Sequence, residues 1–336
     1  IDFTNSEDIA SGKITFTRIH GTEDLGSPHI VNLVGSRLKE GQRGGKLPES
    51  IVRLINGAVY NIEFFGEDFA GNMSAETQLD SIRFDNEPPV VFLKSPSSKS
   101  YTNSLAVDFL ISEDLITGNL EIIIKDDKKF SIELDEAYRK AGEYSQFLPQ
   151  KLLDLNDGIE LKMSLTGKDA AGNEATPYKL ENIKYDTTLP SISILNLSSD
   201  DFINYTSISY ELSENIKEAY LTVIQTGGVL DSKSPHRTQL SGNELKEGKK
   251  ENIQLKNGPI LMNGSIYSFE FSGNDFAGNE VQSTKISNIT YDNEPPSISL
   301  SRPIDSEQIK NSEISYILSD NLSKGVVIFK NTGGTT

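Results

Sequence analysis

An all-β chain of tandem two-sheet sandwiches is predicted by three features of this 336-residue sequence. They are a long internal repeat, period-two alternation within each copy, and a strand-breaking turn that recurs. The turn reads Asp68-Phe69-Ala70-Gly71-Asn72, then Asp169-Ala170-Ala171-Gly172-Asn173, then Asp275-Phe276-Ala277-Gly278-Asn279. Asp68 and Asp169 are 101 residues apart, and Asp169 and Asp275 are 106 apart. A period near one hundred is too long for a solenoid unit and suits one β-sandwich.

Each turn follows an alternating run. Tyr60, Ile62 and Phe64 alternate with Asn61 and Glu63, as do Leu161, Met163 and Leu165 with Lys162 and Ser164, and Tyr267, Phe269 and Phe271 with Ser268 and Glu270. Period two marks a strand with one face in a core. Gly and Asn then end the strand because they tolerate positive φ. A second strand closes each hairpin at Phe84-Asp85, Tyr185-Asp186 or Tyr291-Asp292.

Taking the second copy as guide, the pattern predicts strand A at 90–93, B at 105–111, C at 120–124, D at 130–134, E at 152–155, F at 159–166 and G at 183–185. A helical turn is expected within 135–144. Seven short strands separated by turns describe an immunoglobulin-like sandwich. The expected repeats are 1–86 (lacking strand A and part of B), 87–187, 188–293 and 294–336 (ending after strand C). Repeats 1 and 3 align without a gap at an offset of 207, so Ser6-Glu7-Asp8 meets Ser213-Glu214-Asn215 and Ser27-Pro28-His29 meets Ser234-Pro235-His236. Repeat 2 diverges but keeps Ser112-Glu113-Asp114. Tyr60 and Tyr267 each stand three residues after a turn Gly, the spacing of a tyrosine corner, whereas repeat 2 has Leu161. The joints Asp85-Asn86-Glu87-Pro88-Pro89, Asp186-Thr187-Thr188-Leu189-Pro190 and Asp292-Asn293-Glu294-Pro295-Pro296 contain Pro, which fixes φ and extends its predecessor. Such joints are semi-rigid and predict domains arranged end to end.

Composition excludes several function classes. With 32 Lys and Arg against 49 Asp and Glu the net charge is −17, which argues against nucleic acid and anionic membranes. There is no Cys, so disulfides, thiolate catalysis and Cys-ligated zinc are all absent. No apolar run is long enough to span a membrane. The chain opens at Ile1-Asp2-Phe3 within a strand pattern, and is read as a window on a longer protein. The three His are His20, His29 and His236, the last two in Ser-Pro-His turns where a solvated role is expected. No nucleophile elbow, zinc-protease helix or dinucleotide fingerprint occurs, so no enzyme activity is expected.

The candidate site is a cation site at each joint. In such a sandwich the B–C and F–G loops share the end at which strand A begins. Three acidic elements should therefore meet there: the joint, the Ser-Glu-Asp loop and the Asp-x-Ala-Gly-Asn loop. For the first joint these supply Asp85, Glu87, Glu113, Asp114, Asp169 and Asn173. For the second they supply Asp186, Glu214, Asn215, Asp275 and Asn279, and for the third Asp292, Glu294, Asp320 and Asn321. Crowded carboxylates repel one another unless a cation sits between them, and hard oxygen ligands suit Ca²⁺. The alternative is that Asp68, Asp169 and Asp275 only cap their own turns.

Asp-x-Ala-Gly-Asn combined with the Tyr185-Asp186-Thr187-Thr188-Leu189-Pro190 joint resembles the bacterial immunoglobulin-like repeats of large surface proteins. The resemblance covers essentially the whole chain. It implies an extracellular stalk or fibre at the cell surface, adhesin-like and sometimes calcium-stiffened, with further repeats as neighbours and a receptor bound by a region outside this segment. Two other classes stay open: a carbohydrate-binding accessory module of a secreted enzyme, and a self-assembling surface lattice or sheath.

Overall fold

The computed structural model describes residues 1–47, 51–124, 128–148, 155–254, 260–282 and 284–333. It is almost entirely β-sheet, and the chain divides into two compact units, Ile1–Asp186 and Thr187–Thr336.

The first unit opens with β1 (Asp2–Asn5), β2 (Ile9–Gly21), β3 (His29–Asn32), β4 (Gly41–Gly44), β5 (Ala58–Asp68) and β6 (Thr77–Arg83). They form one sheet of order β1-β4 and another of order β3-β2-β5-β6. Ile14, Phe16, Val31, Ala58 and Tyr60 fill the space between them. The unit continues with β7 (Val91–Ser95), β8 (Tyr101–Thr102), β9 (Val107–Ile111), β10 (Leu115–Ile124), β11 (Lys128–Glu133), β12 (Gly142–Phe147), β13 (Glu160–Asp169) and β14 (Tyr178–Tyr185). One sheet is ordered β12-β9-β7 and the other β11-β10-β13-β14-β8. Val107, Phe109, Leu120, Ile122, Leu161 and Leu165 are sealed between them. Burying each such side chain contributes about 1.5–3 kcal/mol.

The second unit repeats this plan with β15 (Ile192–Ile194), β16 (Phe202–Ile203), β17 (Ser207–Leu212), β18 (Ile216–Gly228), β19 (His236–Gln239), β20 (Gly248–Gln254), β21 (Ser265–Asp275) and β22 (Lys285–Tyr291). Its sheets run β15-β17-β20 and β16-β22-β21-β18-β19, around Tyr210, Leu221, Tyr267, Phe269 and Phe271. A last hairpin joins β23 (Ile298–Arg302) to β24 (Ser315–Leu318), with exposed side chains. Among the described strands, pairing is antiparallel except for β8 with β14 and β16 with β22, and an isolated bridge between Ser191 and Gln282 is also parallel.

Two strand expectations change. The run expected as D, 130–134, falls on β11, which pairs with β10 along its whole length. It therefore lies beside the C strand, in the same sheet, rather than beside E. The E position is taken by β12, which pairs with β9, whereas E was expected at 152–155. Residues 152–154 lie outside the described residues, and Leu155 is in no strand. The cause is a bulge. Gln146 sits at φ 54 and the register slips between Tyr144 and Phe147, so the buried side of β12 departs from period two. Asn252 (φ 51) occupies the matching place in β20. The helical turn expected in 135–144 is the 3-10 turn Glu136–Tyr138.

Candidate metal centre

The Asp-x-Ala-Gly-Asn turn is built by its own Asp. In the second copy Asp169 Oδ1 accepts the Asn173 amide at 2.8 Å, and Oδ2 accepts Asn173 Nδ2 at 2.8 Å. The third copy repeats both bonds between Asp275 and Asn279, and Asp275 Oδ1 also accepts the amides of Ala277 and Gly278. Asp68 and Asn72 do the same in the first. The Gly has positive φ each time, +86°, +92° and +95° for Gly71, Gly172 and Gly278, where a Cβ would be strained. Turn capping is therefore present at all three.

The Ser of Ser-Glu-Asp ties that loop to the incoming chain. Ser112 Oγ accepts the Val90 amide at 2.8 Å, and the Ser112 amide donates to Val90 O at 3.0 Å. Ser213 with Ser191, and Ser319 with Ser297, make the same pair of bonds. The next residue is thereby held beside the joint. At the entry to repeat 2, Asp85, Glu113 and Asp169 come together, each offering an oxygen within 4.8 Å of the others. Asp169 is buried, and Asp85 and Glu113 are half-buried. Asn173 Nδ2 also reaches the Asp85 carbonyl at 3.3 Å, joining turn and joint directly.

The charges in this trio are held unequally. Glu113 is pushed above the usual carboxylate range, first by burial and then by the neighbouring charges of Asp85, Asp169 and Glu87, with Arg83 offsetting part of this. Asp169 is also penalised by burial. The hydrogen bonds from Asn173, Gly172 and Ala171 outweigh that and hold it below its ordinary value. A buried anion thus stands beside a carboxylate that resists ionising. This is the arrangement a divalent cation relieves, supplied with hard carboxylate and carbonyl oxygens.

Asp114 and Glu87 stand outside this trio. Asp114 turns away: Oδ1 accepts the Ala141 amide at 2.9 Å and Oδ2 meets Lys140 at 3.1 Å. Asp8 makes the equivalent bonds to Glu40 and Lys39, and Asn215 accepts the Glu247 amide at 3.1 Å. The third position of the loop is a clasp to the segment before the E strand. Glu87 is exposed, and its amide donates to Asp85 Oδ1 at 3.2 Å. Asp186 is the last residue of the first unit, where its amide donates to Thr102 O at 2.9 Å. In the second unit Glu214 is half-buried, and Asp275 and Asn279 are buried. Asp292, Glu294, Asp320 and Asn321 are exposed. Asp292 accepts the Glu294 amide at 3.1 Å, and Ser319 Oγ lies 3.2 Å from Asp320.

Sequence reasoning missed a second polar site. His29 and His236 are not solvated. In repeat 1 the buried Asp24 carboxylate accepts Tyr60 Oη at 2.6 Å, contacts His29 Nε2 at 2.6 Å and takes the Gly26 amide at 3.0 Å. Tyr60 Oη accepts the Ile55 amide at 3.0 Å. Repeat 3 rebuilds this with Asp231, Tyr267 (2.9 Å), His236 (2.6 Å), the Lys233 amide (3.0 Å) and the Met262 amide (2.9 Å). Burial raises Asp24 and Asp231, but their donors prevail and hold both carboxyls below the usual value. Burial, followed by the Asp24 bond, pushes Tyr60 up to about 12. The signal was legible: an Asp five residues before each His, at matching places.

No protein-family profile matches the sequence, and no curated protein does. Among solved structures, the chain is similar to the FN1–FN3 domains of chicken CNTN1, with 13% identity over 86% of this chain and 91% of that one and a TM-score of 0.32. It is also similar to a tetra-tandem repeat in the extending region of a large adhesion protein, with 15% identity over 90% and 73% of the two chains and a TM-score of 0.27. A two-domain fibronectin type-III segment of chicken tenascin gives 11% identity over 59% and 97%, with a TM-score of 0.23.

Proposed function

We propose that this chain is a non-enzymatic structural segment of a large bacterial cell-surface protein of adhesin type. It stands outside the cell and has further sandwich repeats as its neighbours, while a host or surface receptor is bound by a region of the protein outside this segment. Ca²⁺ bound by Asp85, Glu113 and Asp169 stiffens the joint entering repeat 2. The observation that carries this reading is the convergence of those three carboxylates where one sandwich leads into the next. A joint residue, a B–C loop and an F–G loop contribute one acid each, so a shared cation couples the linker to the body of the domain. Serial sandwiches with no catalytic set fit a load-bearing spacer.

Thermal melting and small-angle scattering, with Ca²⁺ and with excess chelator, test the cation. A ligand that binds only the folded state raises stability by mass action, about 2.7 kcal/mol at a hundredfold excess over Kd. Chelation should lower the melting temperature of the wild type and leave Asp169→Ala unmoved. Equal melting and equal scattering in both buffers would reduce these acids to turn formers. Electron microscopy of the native cell surface tests the wider role, a continuous lattice being the outcome that contradicts a projecting segment.

A further inference from the structure

We infer that repeat 2 carries a shallow site for an acidic saccharide, separate from the carboxylate trio at the joint entering it. The site is a groove of about 290 Å³ between the turn leading into β8 and the strands β13 and β14. Lys99, Ser100 and Tyr101 form one wall, and Glu160, Asn182 and Lys184 face them. In a chain of net charge −17, two ammonium groups in one small groove form a local reversal of sign. The Lys184 ammonium lies 5.6 Å from the centre of the Tyr101 ring, and Tyr101 is 43% exposed.

The walls are held by backbone bonds and do not depend on a ligand. The Lys99 amide donates to Glu181 O at 2.9 Å, and the Lys184 amide to Ser100 O at 2.9 Å. The Glu181 amide donates to Ser98 Oγ at 3.1 Å, and Ser100 Oγ to Ser97 O at 2.6 Å. A preformed groove avoids the ordering cost of binding.

The side chains sort by chemistry into a pyranose carrying a carboxylate. An aromatic face packs against the C–H face of a sugar ring. Lys99 and Lys184 offer charge-assisted donors to the carboxylate. Asn182 supplies both donor and acceptor, and Glu160 accepts from hydroxyls. A bare anion would use the lysines but has no use for the ring or for Glu160, which would repel it.

Repeat 3 supplies an internal control. Its equivalent positions are Asp200, Asp201, Phe202, Ile266, Asn288 and Thr290, so the aromatic and the Asn remain while both lysines are lost. The turn geometry persists, with Lys99 at φ 60 and Asp200 at φ 71. The cationic groove is therefore not a by-product of the fold.

The test is isothermal titration calorimetry of the full chain with a linear tetrasaccharide of galacturonic acid, in excess chelator so that a joint cation plays no part. Its fully methyl-esterified form and inorganic sulfate are the other two arms. Saturable binding of the free acid at one site per chain is expected, with the ester at least about tenfold weaker, the factor expected for losing one charge-assisted contact. Lys99→Asp and Lys184→Thr, which install the residues of repeat 3, should each weaken binding about tenfold. Tyr101→Ala should also weaken it, and Tyr101→Phe should retain it. Absence of saturable binding, equal affinity for the ester, or full displacement by sulfate with Tyr101→Ala silent would each overturn the assignment. The spacer reading survives any of these results, because it rests on the joint.

Discussion

Repeats 2 and 3 share a fold yet fill the same corner by different means. In repeat 3 the first inward position of β21 is Tyr267, fully buried, bonded to Asp231 and through it to His236. In repeat 2 the equivalent residue is Leu161, also fully buried. In repeat 3 residues 229–235 connect β18 to β19 and carry Asp231, whereas the residues between β10 and β11, 125–127, lie outside the described residues. A tyrosine hydroxyl buried in that corner needs an acceptor, as Asp231 provides for Tyr267. Leu removes the need. The rings of repeat 2 gather on the other sheet and its flank: Tyr138, Tyr144 and Phe147 pack on Phe109 and one another, with ring centres 4.7–5.6 Å apart. Repeat 3 instead sets Tyr210 against Phe271 at 5.1 Å. Both cores are filled with aromatic rings, but the chemistry at the corner is exchanged.

The largest expected effect comes from swapping the two residues. Tyr267→Leu leaves Asp231 short of a donor and the Met262 amide without an acceptor, besides opening a cavity. A loss of about 3–5 kcal/mol is expected in denaturant unfolding. Leu161→Tyr forces a larger side chain and a hydroxyl into a fully buried position, and should cost about 1–3 kcal/mol. If Tyr267→Leu cost less than about 1 kcal/mol, the three residues would not act as a unit.

The next effect is smaller and belongs to repeats 1 and 3. Asp24 and Asp231 titrate below the usual carboxylate value when folded, so the folded state binds fewer protons than the unfolded one there. Their contribution is complete above the unfolded value near 3.8 and is lost as pH falls through the lower folded value. Melting temperatures followed into the acid range should drop more steeply for the wild type than for the double variant Asp24→Asn, Asp231→Asn. Parallel curves would remove these carboxylates from the acid response.

The same comparison shows what the sequence could carry. The repeat, the F–G hairpins and the Ser-Glu-Asp loop were legible because each is local and recurs with its residue types intact. Strand E was not, since Gln146 at positive φ breaks the alternation that identifies a strand. The side of the fourth strand was equally hidden, because alternation does not reveal which neighbour a strand will choose. Of the candidate ligands, Glu113 and Asp114 are adjacent and alike in type. Only the fold shows that Glu113 meets Asp85 and Asp169 while Asp114 takes the Ala141 amide. The buried Asp–His–Tyr network was overlooked because a His in a Ser-Pro turn reads as solvated until its partner across the sheet is known.

The smallest effect tests the joint itself, and it changes sign with the buffer. Glu113 is raised by burial and by Asp85, Asp169 and Glu87, so its ionised form opposes folding at neutral pH. That opposition fades as pH falls through the raised value, because the folded state then takes up the proton more readily than the unfolded chain. In chelator, Glu113→Gln removes a repelling charge without changing the shape of the side chain. It should therefore stabilise the protein by a few tenths to about 1 kcal/mol, the range for partly exposed charge pairs. With Ca²⁺ present the same change removes a ligand and should destabilise, since the mass-action gain of the wild type is lost. The melting curves of wild type and variant should thus exchange order between the two buffers. A variant that is more stable in both would show that the carboxylates repel but hold no cation, and one that is less stable in both would place Glu113 in an ordinary structural bond.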